Sequence, residues 1–346
     1  MWFYSVIFFL LLGILSAGYF FNFKKTSYWS CVAILFVISG FRPEDCCLDY
    51  TIYLEYYEVL STLSYTFLEP SYFIIADISK ILFNSPVAIF VIYSALGVTL
   101  KSYAFTNLTK YYAITLILYF GSFFLLHEMT QIRVGVAAAF LLLSIPHIVN
   151  KKPLYFFPLI AIGILFHYSL IIFIPFYFFN AQKINPLIYI GMIITAFLAF
   201  AIGLNLISVL YIVKLGFISD KIISYKSLLD EGVNTELNLL NPLLLLRIVI
   251  LSGLLYKWKL LQSYNVNTVI LLKIYSFSIL FFILLADLPV LAGRVSQLLG
   301  VVEIILVPFI IYICSPKYLA IVVSLLFGLL IMYKQLYYSD LVMGYF

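Results

Sequence analysis

Long apolar runs, separated by short polar breaks, recur from one end of the chain to the other. A run of about 17–25 apolar residues is what a helix needs to cross a bilayer. On that pattern spans are predicted at 2–22, 27–41, 86–106, 111–126, 131–149, 153–166, 168–181, 186–213, 242–260, 268–286, 293–313 and 317–336. The pair 153–166 and 168–181 comes from one overlong run, broken by Gly163 and His167-Tyr168. Segment 70–84 is short and carries Asp77 and Lys80, which suits an interfacial or re-entrant helix better than a crossing. From Asp49 onward Tyr50, Tyr53, Leu54, Tyr57 and Leu60 recur at helical spacing, with Glu55 and Glu58 off the stripe. That predicts an amphipathic helix on the membrane surface, its tyrosines stacking on sugars or anchoring at the interface. A transmembrane β-barrel would alternate over about ten residues; these runs are continuous. The expected fold is therefore all-α and polytopic, with about 12 transmembrane helices (roughly 11–14). One integral membrane domain is expected over 1–346, with outer-face loops at 42–85 and 214–241.

Composition sharpens this reading. The 346 residues are 65% hydrophobic and only 10% charged, against about half and a quarter in soluble domains. The opening Met1-Trp2-Phe3-Tyr4-Ser5 has no basic n-region, and no A-x-A-like cleavage site follows. Residues 2–22 read as a retained helix rather than a signal peptide. Four cysteines, Cys31, Cys46, Cys47 and Cys314, lack zinc spacing. A disulfide between adjacent Cys46 and Cys47 would be strained, so free thiols are expected.

Charge then orients the spans. One set of loops holds Lys24-Lys25, Lys101, Lys110, Lys151-Lys152, Lys183, Lys257, Lys259 and Lys317, without Asp or Glu. The opposite set (42–69, 127–130, His167, 214–241, 287–292 and the C-terminal tail) carries nearly every acid. Lysine-rich loops stay in the cytoplasm, so both termini are expected to face outward. All four arginines, Arg42, Arg133, Arg247 and Arg294, fall at or near outer helix ends. Topology needs only positive charge, but arginine's planar fork grips phosphate or carboxylate bidentately. An anionic ligand at the outer leaflet is the functional reading. Head-group snorkelling or pairing with acids is the structural alternative.

Candidate chemistry lies on that face. In His127-Glu128-Met129-Thr130-Gln131-Ile132-Arg133, charge meets the mouth of a greasy helix, which is costly without a role. A salt bridge from Arg133 to Glu128 is the plain alternative. Gly135 and Ala137–Ala139 suit close helix packing. Glu69 precedes Pro70, a normal first helical residue, and could cap that helix electrostatically. His127 and His167 are outer histidines able to act as bases near neutral pH, whereas His147, beside Lys151-Lys152, reads as structural. Pro289 and Gly293 precede Arg294, in a helix mouth suited to an anion. Glu303 lies deeper and needs a partner or a proton. Loop 214–241 has mixed charge and a length that suits a lid or substrate contact. No P-loop, GxGxxG, HExxH, GxSxG or EF-hand pattern occurs, and no clear DxD pair. Nor is there a basic soluble patch for nucleic acid.

Arg42 with Asp49 and Tyr53, then Glu69-Pro70, Gln131-Ile132-Arg133, Leu165-Phe166-His167-Tyr168-Ser169 and Pro289-Val290-Leu291-Ala292-Gly293-Arg294 occur in this order. Over about residues 40 to 300 the set resembles the EpsG-type branch of the Wzy polysaccharide polymerases. Glu44-Asp45-Cys46-Cys47-Leu48 departs from the family's usual glycine before the aspartate. The resemblance implies a glycosyltransferase-C-like helical bundle in the bacterial cytoplasmic membrane, with amphipathic helices and its site facing the periplasm or exterior. It implies transfer of a growing glycan from undecaprenyl pyrophosphate to the non-reducing-end hydroxyl of another lipid-linked repeat, for O-antigen or exopolysaccharide assembly. The implied partners are undecaprenyl-pyrophosphate-linked oligosaccharides, membrane lipids and a chain-length regulator, with no cofactor or metal. On that reading His167, Asp49, Arg133 and Arg294 are catalytic. Arg42, Arg247, Gln131, Tyr53, Glu69 and His127 bind substrate. An O-antigen ligase shares the plan but transfers to lipid A core. A flippase would carry midplane polarity and repeats, and an acyltransferase would also use a buried histidine.

Overall fold

The computed structural model describes residues 2–59, 68–203, 237–339 and 341–342, and every regular element among them is helical. In chain order these begin α1 (Trp2–Phe20), α2 (Lys24–Gly40), α3 (Leu48–Glu58), α4 (Pro70–Ile78), α5 (Val87–Leu108) and α6 (Tyr112–Tyr119). Without a break α6 widens into a π-helix over Phe120–Glu128. Then come α7 (Ile132–Val149), α8 (Pro153–Phe166), a 3-10 helix over Tyr168–Phe178, and α9 (Pro186–Ala201). Helices Pro242–Tyr256, Trp258–Tyr264, Thr268–Leu284, Pro289–Gly300 and Lys317–Tyr337 follow.

Among the described residues, five segments have both the length and the apolar content to cross a membrane: Trp2–Phe20, Val87–Leu108, Ile132–Val149, Pro289–Ile313 and Lys317–Tyr337. At about 1.5 Å per residue, an 18-residue helix reaches roughly 27 Å, close to the 30 Å hydrocarbon core. Shorter apolar helices, among them Pro153–Phe166, Pro186–Ala201 and Thr268–Leu284, fall short of that span by themselves. Predicted segment 186–213 is helical to Ala201, and its end lies outside the described residues, as does 214–236 of the expected lid loop.

The chain divides into two compact units, Met1–Tyr177 with Val307–Phe346, and Phe178–Leu306. In the first, α7 packs on α5 and α8, and Lys317–Tyr337 packs on the α6 π-segment. The predicted stripe on α3 forms, with Tyr50, Tyr53 and Tyr57 buried and Glu55 and Glu58 exposed. Its direction differs from the expectation. Tyr50 stacks on Phe90 of α5 at 4.3 Å, and Tyr53 stacks on Tyr72 of α4 at 5.8 Å. The stripe therefore faces protein rather than lipid, because α4 and α5 offer aromatic partners that the sequence pattern does not show. Helix α4, at 9 residues, is too short to cross.

In the second unit Thr268–Leu284 packs against Pro289–Gly300, α9 and Pro242–Tyr256. Asn185 and Asn241 cap the helices that open at Pro186 and Pro242, each accepting a backbone N–H. Asparagine before a first-turn proline satisfies one of the donors a helix start leaves open. An open apolar cleft of about 310 Å³ lies between Met192, Thr195, Ala196 and Ala199 of α9 and Leu280 and Leu284.

Candidate functional site

Three helix ends in the first unit build the site. Glu69 is the N-cap of α4, with Pro70 in the first turn, yet its side chain makes no capping bond. The carboxylate, still at the N-terminus of α4, turns to partners elsewhere in the chain. One oxygen, Oε2, pairs with Nη1 of Arg133 in the first turn of α7. The other, Oε1, lies 2.7 Å from His167 Nδ1. His167 is the C-cap of α8, with an extended backbone (φ −156°, ψ 118°) and its N–H on the Gly163 carbonyl at 3.0 Å. The predicted break at Gly163 and His167 is therefore where α8 stops and the histidine turns inward. Arg133 also offers Nε to the Tyr53 hydroxyl at 3.5 Å, and its guanidinium lies 5.7 Å from that ring. Tyr72 fixes this part of α3, donating to the Tyr53 carbonyl at 2.6 Å.

Electrostatics keep the carboxylate of the cluster ionised. Burial alone would raise the Glu69 pKa, but the His167 hydrogen bond and the Arg133 charge overcome it and bring it down to about 2. An ionised carboxylate only accepts, so the proton between it and His167 sits on Nδ1, and Nε2 is left as the nitrogen at which the ring gains or gives a proton. Glu69 and His167 are buried, whereas one fifth of the Arg133 side chain is exposed. The arrangement suits an oriented base beside a fixed cation.

Around this core the other predicted residues separate. Arg42 reaches the backbone of Met129, between His127 and Gln131 in sequence. Arg42 Nη1 donates to the Met129 carbonyl at 2.5 Å, and the Cys47 thiol donates to the same oxygen at 2.8 Å. Gln131 is the half-buried N-cap residue of α7. His127, predicted to bind substrate, is wholly buried beside Phe123, with ring centroids 5.0 Å apart. Asp49 is half-buried in the first turn of α3. Arg247 and Arg294 belong to the second unit. Arg247 reaches Glu303 through Nε at 3.0 Å and Nη2 at 2.9 Å, and Tyr275 donates to the same carboxylate at 3.0 Å. That supplies the partner Glu303 required. Arg294 lies half-buried in the first turns of Pro289–Gly300.

A second buried network was not legible. Lys101 and Glu128 form an ion pair with no solvent exposure of the lysine, and Tyr119 donates to Glu128 at 2.7 Å. This corrects two expectations. Lys101 is not a loop lysine, and Glu128 does not pair with Arg133, since the π-segment turns it toward α5. Gly97, one turn before Lys101, leaves the room; a Cβ there would collide with the Glu128 carboxylate. Gly135 plays the same part on α7, where a Cβ would come within 2.8 Å of the His127 carbonyl. The available signal was a lysine within a 22-residue apolar helix, which rarely stands without a buried partner. Among the described residues no group of three or more His, Cys, Asp or Glu could hold a metal ion.

These features define a helical membrane protein whose polar site is assembled from helix ends. More particularly, the EpsG family profile matches residues 25–345, nearly the whole chain, and the protein belongs to that family. No curated protein and no solved structure matches it significantly. Family membership points to a polysaccharide polymerase with glycosyltransferase-like chemistry.

Proposed function

We propose that the protein lengthens a polysaccharide by joining lipid-linked oligosaccharide repeats at the outward face of the bacterial cytoplasmic membrane. The growing glycan is transferred from undecaprenyl pyrophosphate to the non-reducing-end hydroxyl of another lipid-linked repeat. The acceptor oxygen bonds to the anomeric carbon, the carbon–oxygen bond to phosphate breaks, and undecaprenyl pyrophosphate leaves with the electron pair. The hydroxyl proton passes to Nε2 of His167. A chain-length regulator and the surrounding lipids are the partners this role calls for.

The observation that carries the reading is the division of one carboxylate, Glu69, between Arg133 and His167. Glu69 sets the tautomer of His167 and stabilises the imidazolium that forms, as the carboxylate of a catalytic triad does. Arg133 keeps Glu69 ionised, and its exposed portion presents a fixed cation to developing negative charge. Asp49 is the alternative base, and Gln131 supports substrate binding. His167→Ala in a deletion strain tests the assignment. A single attached repeat is expected in place of a polymer ladder, at normal protein level; a ladder of ordinary length would overturn it.

A further inference from the structure

The run Glu44-Asp45-Cys46-Cys47-Leu48 departs from the family's usual pattern and has no part in the proposed glycosyl transfer. It places two thiols side by side between α2 and α3. Neither is in a disulfide, both are buried, and their sulfurs lie 3.6 Å apart, with Cys46 donating to Cys47. Cys47 donates in turn to the Met129 carbonyl at 2.8 Å, the oxygen that also holds Arg42 Nη1 at 2.5 Å. Thiol and guanidinium thus meet on one acceptor, and a neighbouring arginine favours the thiolate, the reactive form. The two cysteines are driven apart in acidity. The Cys46 hydrogen bond lowers the Cys47 pKa against the cost of burial, with Arg42 assisting, whereas the same bond and burial raise that of Cys46. One sulfur is therefore set to attack an oxidant and the other to resolve the product, the order a redox pair requires.

We infer that Cys46 and Cys47 close a reversible vicinal disulfide on meeting hydrogen peroxide, and that this bond switches the neighbouring Glu69–Arg133–His167 site. The Cys47 thiolate attacks one peroxide oxygen, the O–O bond breaks, and hydroxide leaves, taking up the thiol's proton as water. The Cys46 sulfur then attacks the sulfenic sulfur of Cys47, and the expelled hydroxide takes the Cys46 proton as water. Two thiols lose two electrons and two protons, and one peroxide becomes two waters. Cys46 is 0% and Cys47 4% exposed, which admits an oxidant of that size and keeps out a protein disulfide. Adjacent Cα atoms lie about 3.8 Å apart, below the usual disulfide range of about 4.4–6.8 Å, so the bond is strained and readily reduced. Closing it draws the sulfurs from 3.6 Å to about 2.05 Å and removes the S–H that Cys47 gives Met129. Cys47 is also the N-cap of α3, its carbonyl accepting the Tyr50 N–H at 3.2 Å, and α3 carries Tyr53 to within 3.5 Å of Arg133 Nε. The effect on polymer growth rests on the polymerase reading; the disulfide does not.

The test uses the purified full chain in lipid nanodiscs, treated with stoichiometric hydrogen peroxide, then unfolded, alkylated with iodoacetamide and digested for mass spectrometry. The peptide holding Cys46 and Cys47 is expected two hydrogens lighter and unalkylated, and dithiothreitol is expected to restore both alkylation sites. Cys46→Ser is expected to stop at a Cys47 sulfenic acid that dimedone traps, and Cys47→Ser to leave Cys46 unreacted at the same dose. Exposed Cys314 reports that oxidant is present. A Cys46–Cys47 peptide still doubly alkylated while Cys314 is oxidised overturns the disulfide, and Cys46 reacting in Cys47→Ser as fast as Cys47 does in Cys46→Ser overturns the assignment of the attacking sulfur. In membranes, peroxide is expected to shorten the wild-type polymer ladder and dithiothreitol to restore it, while the Cys46→Ser/Cys47→Ser double variant keeps its ladder throughout. A wild-type ladder unchanged by peroxide with the disulfide present overturns the switch. A wild type with no ladder before treatment overturns the polymerase reading instead, and the mass-spectrometric result then decides the disulfide alone.

Discussion

Glu69→Gln is the most discriminating perturbation, because it keeps the size of the side chain and changes only what it can accept. The carboxylate now receives one bond from Arg133 and one from His167. An amide has one acceptor oxygen and one donor nitrogen. Arg133 can only donate, so it takes the oxygen. The amide nitrogen then faces Nδ1 of His167, which must become the acceptor, and the ring proton moves to Nε2. The lone pair needed to take the acceptor's proton is lost, which corresponds to about 10²–10⁴ in rate for general base catalysis. Stability changes as well. Breaking a buried pair costs about 3–5 kcal/mol, and the one-fifth exposure of Arg133 lets solvent recover part of that, leaving about 2–3 kcal/mol. Initial rates of polymer growth in membranes, read as ladders on gels, measure the first effect, and thermal unfolding in nanodiscs measures the second. Glu69→Asp keeps the charge but is one methylene shorter, so it holds one partner and gives an intermediate rate. Glu69→Gln that is folded and polymerises at the wild-type rate refutes the tautomer argument.

Further predictions follow from the same contacts. Since the folded-state pKa of Glu69 is about 2 against an ordinary 4.5, the unfolded chain takes its proton first; the stabilisation is complete above 4.5 and drains as pH falls toward 2. Unfolding temperature should drop across that window, and Glu69→Gln should flatten the drop. Arg133→Lys retains charge but cannot serve Glu69 and Tyr53 together, so polymer length distribution should shift toward short chains. Lys101→Met and Glu128→Gln should each destabilise by about 3–5 kcal/mol through a stranded buried charge. The double variant should lose less than their sum in chemical denaturation. Gly97→Ala should displace the Glu128 carboxylate and lower stability without touching the Glu69 cluster, seen as a lower unfolding temperature with a normal response to acid.

Local signals carried the helical class, the start of α4 at Pro70, the break at His167 and the tyrosine stripe of α3, because each is written within a few turns of chain. Hydropathy marked the apolar segments but could not set their helical lengths: α8 ends after 14 residues and α9 after 16. Nor does periodicity distinguish a tyrosine facing lipid from one facing Phe90, since both environments accept the same side chain. The pairings were out of reach altogether. Glu69 finds Arg133 64 residues away and His167 98 residues away, while Lys101 finds Glu128 27 residues away. No local spacing encodes such separations, and Glu128 stood nearer in sequence to Arg133 than its true partner did. The sequence by itself determined that outlying charges in an apolar chain must be matched. Only the tertiary structure decided which charges match each other, because desolvation demands a partner whereas packing chooses it.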